Sequence, residues 1–204
     1  MSPRNWHSRG LGPTTVQRVH VYPIADEHYV AERAWERAVL GECPFHPAGG
    51  CGVAGHGSYP RVHPPGMRVA RFWCSLARRS ISLLPLFLAA RLPSTLDEIE
   101  AVLDAVEAAP SIAAAADVVR PAESENAVTS ISAARWVRRR VAAMRAAMLA
   151  LVTLVPELAG CTPTIAAIRV RLGTERGLLA LRQIGFAHIS AIGPPLGLSQ
   201  RGGR

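Results

Sequence analysis

Residues 42–80 read ECPFHPAGGCGVAGHGSYPRVHPPGMRVARFWCSLARRS, and this stretch decides the fold. Three of the chain's four cysteines, Cys43, Cys51 and Cys74, fall inside it, together with His46 and His56. Zn²⁺ favours thiolate and imidazole donors arranged as a tetrahedron, and short Cys/His knuckles beside a small β-hairpin commonly supply them. A hairpin is legible between Cys51 and Cys74. Tyr59 and Val62 precede the turn signal Pro64-Pro65-Gly66, and Met67, Val69 and Phe72 follow it. Cys43 and His46 form a knuckle with a two-residue gap, and Cys51 with His56 gives a further Cys–His pair. Cys74 stands where a knuckle begins after the hairpin, with Ala77 where a matching cysteine would stand.

The spacing predicts a zinc-ribbon-like module over residues 42–80. Its candidate ligands are Cys43, His46, Cys51, His56 and Cys74; a four-coordinate zinc takes Cys43, Cys74 and two of the other three. The alternative is a loop with ordinary cysteines and histidines. Modules of this kind hold nucleic acid or another protein rather than run chemistry.

Working outward, residues 1–24 read as a loose arm, broken by Pro and Gly. A helix is expected over residues 26–41, where Tyr29, Val30, Ala34, Trp35 and Ala38 make an apolar stripe that ends at Gly41. Together these form an N-terminal arm and helix, 1–41. On the other side, SISLLPLFLAARL (80–92) is an apolar connector that Pro85 keeps from being a regular helix. Thr95 stands three residues before Glu98, the capping-box spacing, with Ser94 and Asp97 a similar pair, so a helix starts there; Leu96, Ile99, Leu103 and Val106 share one face. Pro110 stops it, and Ser111 caps a shorter helix through Val119. The long helix beyond is the clearest element. Val137, Val141, Met144, Met148, Leu151 and Val155 repeat at steps of three and four and occupy one seam. Further helices over residues 164–172 and 174–192 complete a helical bundle, 81–192, and residues 193–204 read as a flexible tail. The expected fold is therefore mainly α: a zinc-ribbon-like β-hairpin module followed by a helical bundle with a helix-turn-helix-like unit.

The net charge is +8, and every one of the 23 basic residues is arginine. Coding bias alone accounts for such a composition, but the guanidinium fork still grips phosphate in a bidentate way. The charge is segregated. Residues 1–93 carry +6, residues 94–126 carry −7 and residues 127–204 carry +9. Two basic surfaces meeting an anionic partner, with an acidic helix facing water, is the expectation. Arg135, Arg138, Arg139, Arg140 and Arg145 crowd the long helix, where Ser111–Val119 and the helix after it suggest a DNA-reading pair. The alternative is a solvated outer face of a bundle helix. No secretory signal is visible in residues 1–23, and the apolar run at 146–156 is shorter than the ~20 residues a membrane span needs. A cytoplasmic protein with reduced thiols and no membrane association follows as an expectation.

The candidate ribbon, the SLLP stretch, the LPSTLDEIEAV helix and the ARWVRRRV helix together resemble bacterial proteins similar to the N-terminal zinc-ribbon and helix-turn-helix regions of insertion-sequence transposases. The resemblance covers residues 43 to about 145. It implies the DNA-docking part of such proteins without the strand-transfer engine, because only Glu157 and Glu175 remain as carboxylates after residue 126. The expected function is a non-catalytic DNA-binding protein, transposase-docking-like or a small regulator. The alternative is a protein-interaction module with no nucleic-acid role. An enzyme is not expected: no phosphate-cradling Gly-rich loop, nucleophile elbow or His-Glu-x-x-His pattern is present. Cys161, before Thr162-Pro163, reads as a core thiol where a helix begins.

Overall fold

A computed structural model describes residues 15–24, 26–120 and 130–198. These form two compact units, one from the residues up to 61 with 66–85, the other from 62–65 and the residues from 86 onward. The expectation of a mainly α protein is wrong. The first unit is built on a four-stranded mixed sheet and the fold is mixed α/β.

The sheet consists of β1 (Thr15–His20), β2 (Ala54–Pro60), β3 (Arg68–Cys74) and β4 (Arg79–Pro85), in the spatial order β1-β4-β3-β2. The expected hairpin is there as β2 antiparallel to β3, with Tyr59 opposite Val69 and an irregularity between Gly55 and Ser58. The apolar connector is a correction. Residues 79–85 form β4, antiparallel to β3, with Ile81, Leu83 and Leu84 all buried. A strand covered on both faces reads as a continuous apolar run without alternation, which is why its period is invisible. Part of the arm is also corrected, since β1 pairs in parallel with β4, Val16 opposite Ile81. The rest of the expected arm, residues 1–14, and residues 199–204 of the expected tail lie outside the described residues.

The helix expected over residues 26–41 does not form. Two 3-10 turns, Asp26–His28 and Ala34–Glu36, stand in its place, and Arg33 between them is in the left-handed region (φ 50°). The apolar stripe is real but is used differently: Tyr29, Ala34 and Trp35 are buried, and the Tyr29 hydroxyl donates to the Arg68 carbonyl at 2.9 Å.

The second unit packs α1 (Leu96–Ala108), α2 (Ile112–Val119), α3 (Ser130–Leu154), α4 (Ile165–Leu172) and α5 (Gly177–Ile184). The reciprocal cap at Thr95 and Glu98 forms as expected. The α3 seam is the core: Val137, Val141, Met144, Met148, Leu151 and Val155 are all buried, against Leu96, Ile99 and Leu103 of α1 and Leu178 and Leu181 of α5 among others. Helix α5 stops at Ile184 instead of running to 192, with Gly185 as its C-cap, where a Cβ would clash with the Leu151 side chain. The connection of the expected helix-turn-helix-like unit, residues 121–129 between α2 and α3, lies outside the described residues.

The acidic helix does not simply face water. Glu100 accepts from the Gly177 and Leu178 backbone N–H groups at 2.9 and 2.8 Å and from Arg169 Nε at 2.7 Å. Glu107 accepts from Ile165 and Ala166, Asp104 binds the Arg169 fork, and Asp97 binds Arg176. Carboxylates from α1 thus cap the first turns of α4 and α5, where the helix dipole and the free N–H groups favour negative charge. No helix among the described residues is long and apolar enough to cross a membrane.

Candidate metal centre and arginine face

Cys43 and His46 lie in the loop before β2, joined by an isolated bridge between Cys43 and His46. Cys51 ends the glycine-rich continuation of that loop, and Cys74 is the last residue of β3. The donor atoms of Cys43, His46, Cys51 and Cys74 all lie within 4.8 Å of one another. His46 Nδ1 is 3.7 Å from the Cys43 sulfur and 3.4 Å from the Cys74 sulfur. With Zn–S near 2.3 Å and Zn–N near 2.0 Å, a tetrahedron sets its ligand atoms roughly 3.5 Å apart. The donor set and its spacing therefore fit a metal ion, with zinc the natural occupant of three thiolates and one imidazole.

The surroundings treat the thiols differently. Each cysteine sulfur has a backbone donor close ahead of it in sequence: Phe45 for Cys43, Val53 for Cys51, and Ala77 N–H for Cys74 at 3.3 Å. Ala77, which lacks a ligating side chain, contributes through its backbone instead. Such outer contacts orient metal ligands and tune their basicity. Burial opposes ionisation of Cys43, but hydrogen bonds from His46, the Phe45 backbone and the other two thiols outweigh it and pull this thiol down to about 6. At Cys51 burial and the neighbouring Cys43 push the thiol up. A divalent cation among the donors overrides this split, since a coordinating thiol is deprotonated outright.

Two loops must be held together to build the cluster. The Ser75 hydroxyl donates to the Cys51 carbonyl at 2.8 Å, tying the β3–β4 turn to the Cys51 loop. Gly52, with φ +61°, turns the chain directly after Cys51, and a Cβ there would meet Ser75 Oγ at 3.2 Å. That turn sends the chain into β2 and takes His56 away. His56 is exposed, its ring 6.0 Å from that of Trp73, and it is outside the donor cluster. Cys161 is half-buried before α4, its thiol donating to the Thr162 carbonyl at 3.4 Å, and also takes no part.

The five candidate arginines of α3 divide into two sets. Arg135, Arg138, Arg139 and Arg145 are exposed, and among the described residues none of them forms an ion pair. Arg140 is half-buried, its guanidinium carbon 3.6 Å above the Trp136 ring. Sequence reading missed Arg120, whose guanidinium also lies over Trp136 at 5.1 Å. Its only sequence signal was its place as the single arginine of residues 94–126.

No known family model, characterised protein or solved structure matches this chain. The residue roles below therefore rest on the geometry and chemistry of the chain itself.

Proposed function

We propose that this is a non-catalytic DNA-binding protein in which a structural zinc ion secures the first unit and the outer face of α3 meets the phosphate backbone. One observation carries the DNA reading. Arg169 and Arg176 of the second unit are matched to carboxylates of α1, whereas Arg135, Arg138, Arg139 and Arg145 stand exposed on a helix that contains no acidic residue. Folding has absorbed the first pair and left the second set for a partner. Spaced guanidinium groups on one helix suit a polyanion, and each phosphate they neutralise releases counterions.

Cys43, His46, Cys51 and Cys74 would hold the zinc. Four protein donors fill its coordination and leave no position for water, so the ion supplies folding energy rather than Lewis-acid chemistry. Free thiols of this kind suit a reducing, cytoplasmic setting.

The test is fluorescence anisotropy with a labelled DNA duplex over a salt series. The Arg138→Ala, Arg139→Ala double variant weakens binding and flattens the dependence of log K on log salt by about 2, the share of two phosphates. Unchanged binding removes α3 from the mechanism. A second reading is a protein-interaction module, favoured by the exposed Ile131 and Leu149 on the same helix; complex formation that competitor DNA does not disturb would select it.

A further inference from the structure

Arg120 closes α2, its backbone N–H donating to the Ala116 carbonyl at 2.9 Å, and its side chain reaches across to α3. Arg140 lies one turn beyond Trp136 on α3 and stacks on the same ring. Trp136 thus gathers two guanidinium groups from two helices, and attraction to the ring face offsets part of their mutual repulsion. Arg139, exposed, precedes Arg140. Burial first, then the fields of Arg120 and Arg139, push the ionisation of Arg140 down to about 10.

Three cations are therefore crowded where the described residues offer little to neutralise them. Glu98 is the carboxylate that acts in the opposite sense on Arg140, but both of its oxygens are engaged. Oε2 accepts from the Thr95 backbone N–H at 2.7 Å, and Oε1 is hydrogen-bonded to His63 Nε2. Arg140 Nε is buried and has no hydrogen-bond partner among the described residues. Packing of α2 against α3 needs no such arrangement: uncharged side chains fill a helix contact without bringing like charges together. A phosphate, with its several acceptor oxygens and negative charge, relieves the repulsion among the three guanidinium groups.

We propose that Arg120, Arg139 and Arg140, organised by Trp136, form a binding site for one phosphate group of the DNA backbone. The proposal rests on the DNA-binding reading and deepens it: the exposed row supplies attraction, while this site fixes where α2 and α3 sit on the duplex. Stacking on Trp136 holds the guanidinium planes in advance, so less side-chain freedom is lost when phosphate binds.

The test uses the full chain and two probes, a fluorescein-labelled DNA duplex and inorganic phosphate. Arg120→Gln with Arg140→Gln is expected to lower the salt slope of duplex binding by about 1, the share of one phosphate. In the unaltered protein, inorganic phosphate at constant ionic strength is expected to shift the Arg140 Nε–Hε NMR signal in a saturable way. This arm needs no variant and stands even where the double substitution prevents folding. An Arg140 signal that does not respond to phosphate, or a folded double variant with the original slope, overturns the site while leaving duplex binding by the outer row intact. A saturable response to phosphate in a protein that does not bind the duplex keeps the phosphate site but makes free phosphate compounds its source, and the DNA reading falls. Failure of both probes on the unaltered protein removes both.

Discussion

His46 Nδ1 lies 3.4 Å from the Cys74 sulfur although 28 residues separate the two in sequence. The contact joins the loop before β2 to the end of β3, so the whole β2–β3 hairpin is enclosed between ligands. Cross-linking of this kind restricts the unfolded chain, and a preformed donor set rarely survives unfolding. A metal bound by these donors would couple its binding to folding of the first unit for that reason.

Protein purified without added metal is expected to carry one zinc per chain by elemental analysis. Cys51→Ser and Cys74→Ser each reduce zinc content sharply, whereas His56→Ala leaves it unchanged, because the His56 ring is exposed on β2 outside the donor cluster. Replacement of zinc by Co²⁺ should give the visible spectrum of a tetrahedral thiolate site. Full zinc in the Cys74→Ser protein, or loss of zinc on His56→Ala, would assign the ligands differently.

Gly52→Val is expected to weaken the same site without touching a ligand. Gly52 has φ +61°, which a β-branched residue adopts only with strain, and the new Cβ would crowd Ser75 Oγ. Ser75 also holds the Cys51 carbonyl, so both loops shift together. A loss of about 1–3 kcal/mol in the stability of the zinc-loaded protein is expected, read by thermal melting with and without chelator. Gly41→Ala, where a Cβ meets nothing within 4 Å, is the matched control.

Much of the second unit was legible in the sequence, and the reason is physical. The α3 seam repeats with the helical period, and the Thr95–Glu98 cap is a local pattern with a local cause. The sheet was legible only in its hairpin. Residues 79–85 are buried on both faces and show no alternation, and β1 finds its partner more than 60 residues away in parallel register, which no local signal announces. The stripe from Tyr29 to Trp35 marked burial correctly but not helix, because burial against a sheet needs only a few inward side chains. At the metal centre, residue type singled out the candidates. Spacing could not separate Cys51 from His56, since that depends on the turn at Gly52.

Arg182 supplies a test of the second unit's core. It is fully buried, and its guanidinium donates to the carbonyls of Leu86, Leu88, Pro195 and Leu196 at 2.6–2.8 Å. One side chain thereby pins the segment before α1 to the segment after α5. Arg182→Met removes these donors and leaves buried carbonyls unpaired, at a cost on the order of 3 kcal/mol. Arg182→Lys retains charge but cannot span the four acceptors with one ammonium, so it falls between the two in chemical denaturation. Equal stability of the Lys variant and the original would show that charge, not the fork, is what the site requires.

Two sets of arginines should respond in opposite ways to removal. Arg169 donates to Asp104 and Glu100, and these hydrogen bonds to the two carboxylates hold its charged form strongly. Arg169→Ala leaves Glu100, buried beside the first turn of α5, without its cation, and a loss of about 2–4 kcal/mol is expected on thermal unfolding. Arg135→Ala with Arg138→Ala removes two exposed charges that have no ion-pair partner among the described residues, so stability changes by less than about 0.5 kcal/mol. Duplex DNA binding reverses the ranking. The Arg135, Arg138 pair lowers the salt slope by about 2, while a folded Arg169→Ala protein keeps the original slope. If the Arg169 variant lost the slope and the α3 pair kept it, the basic surface that meets DNA would lie on α4 rather than on α3.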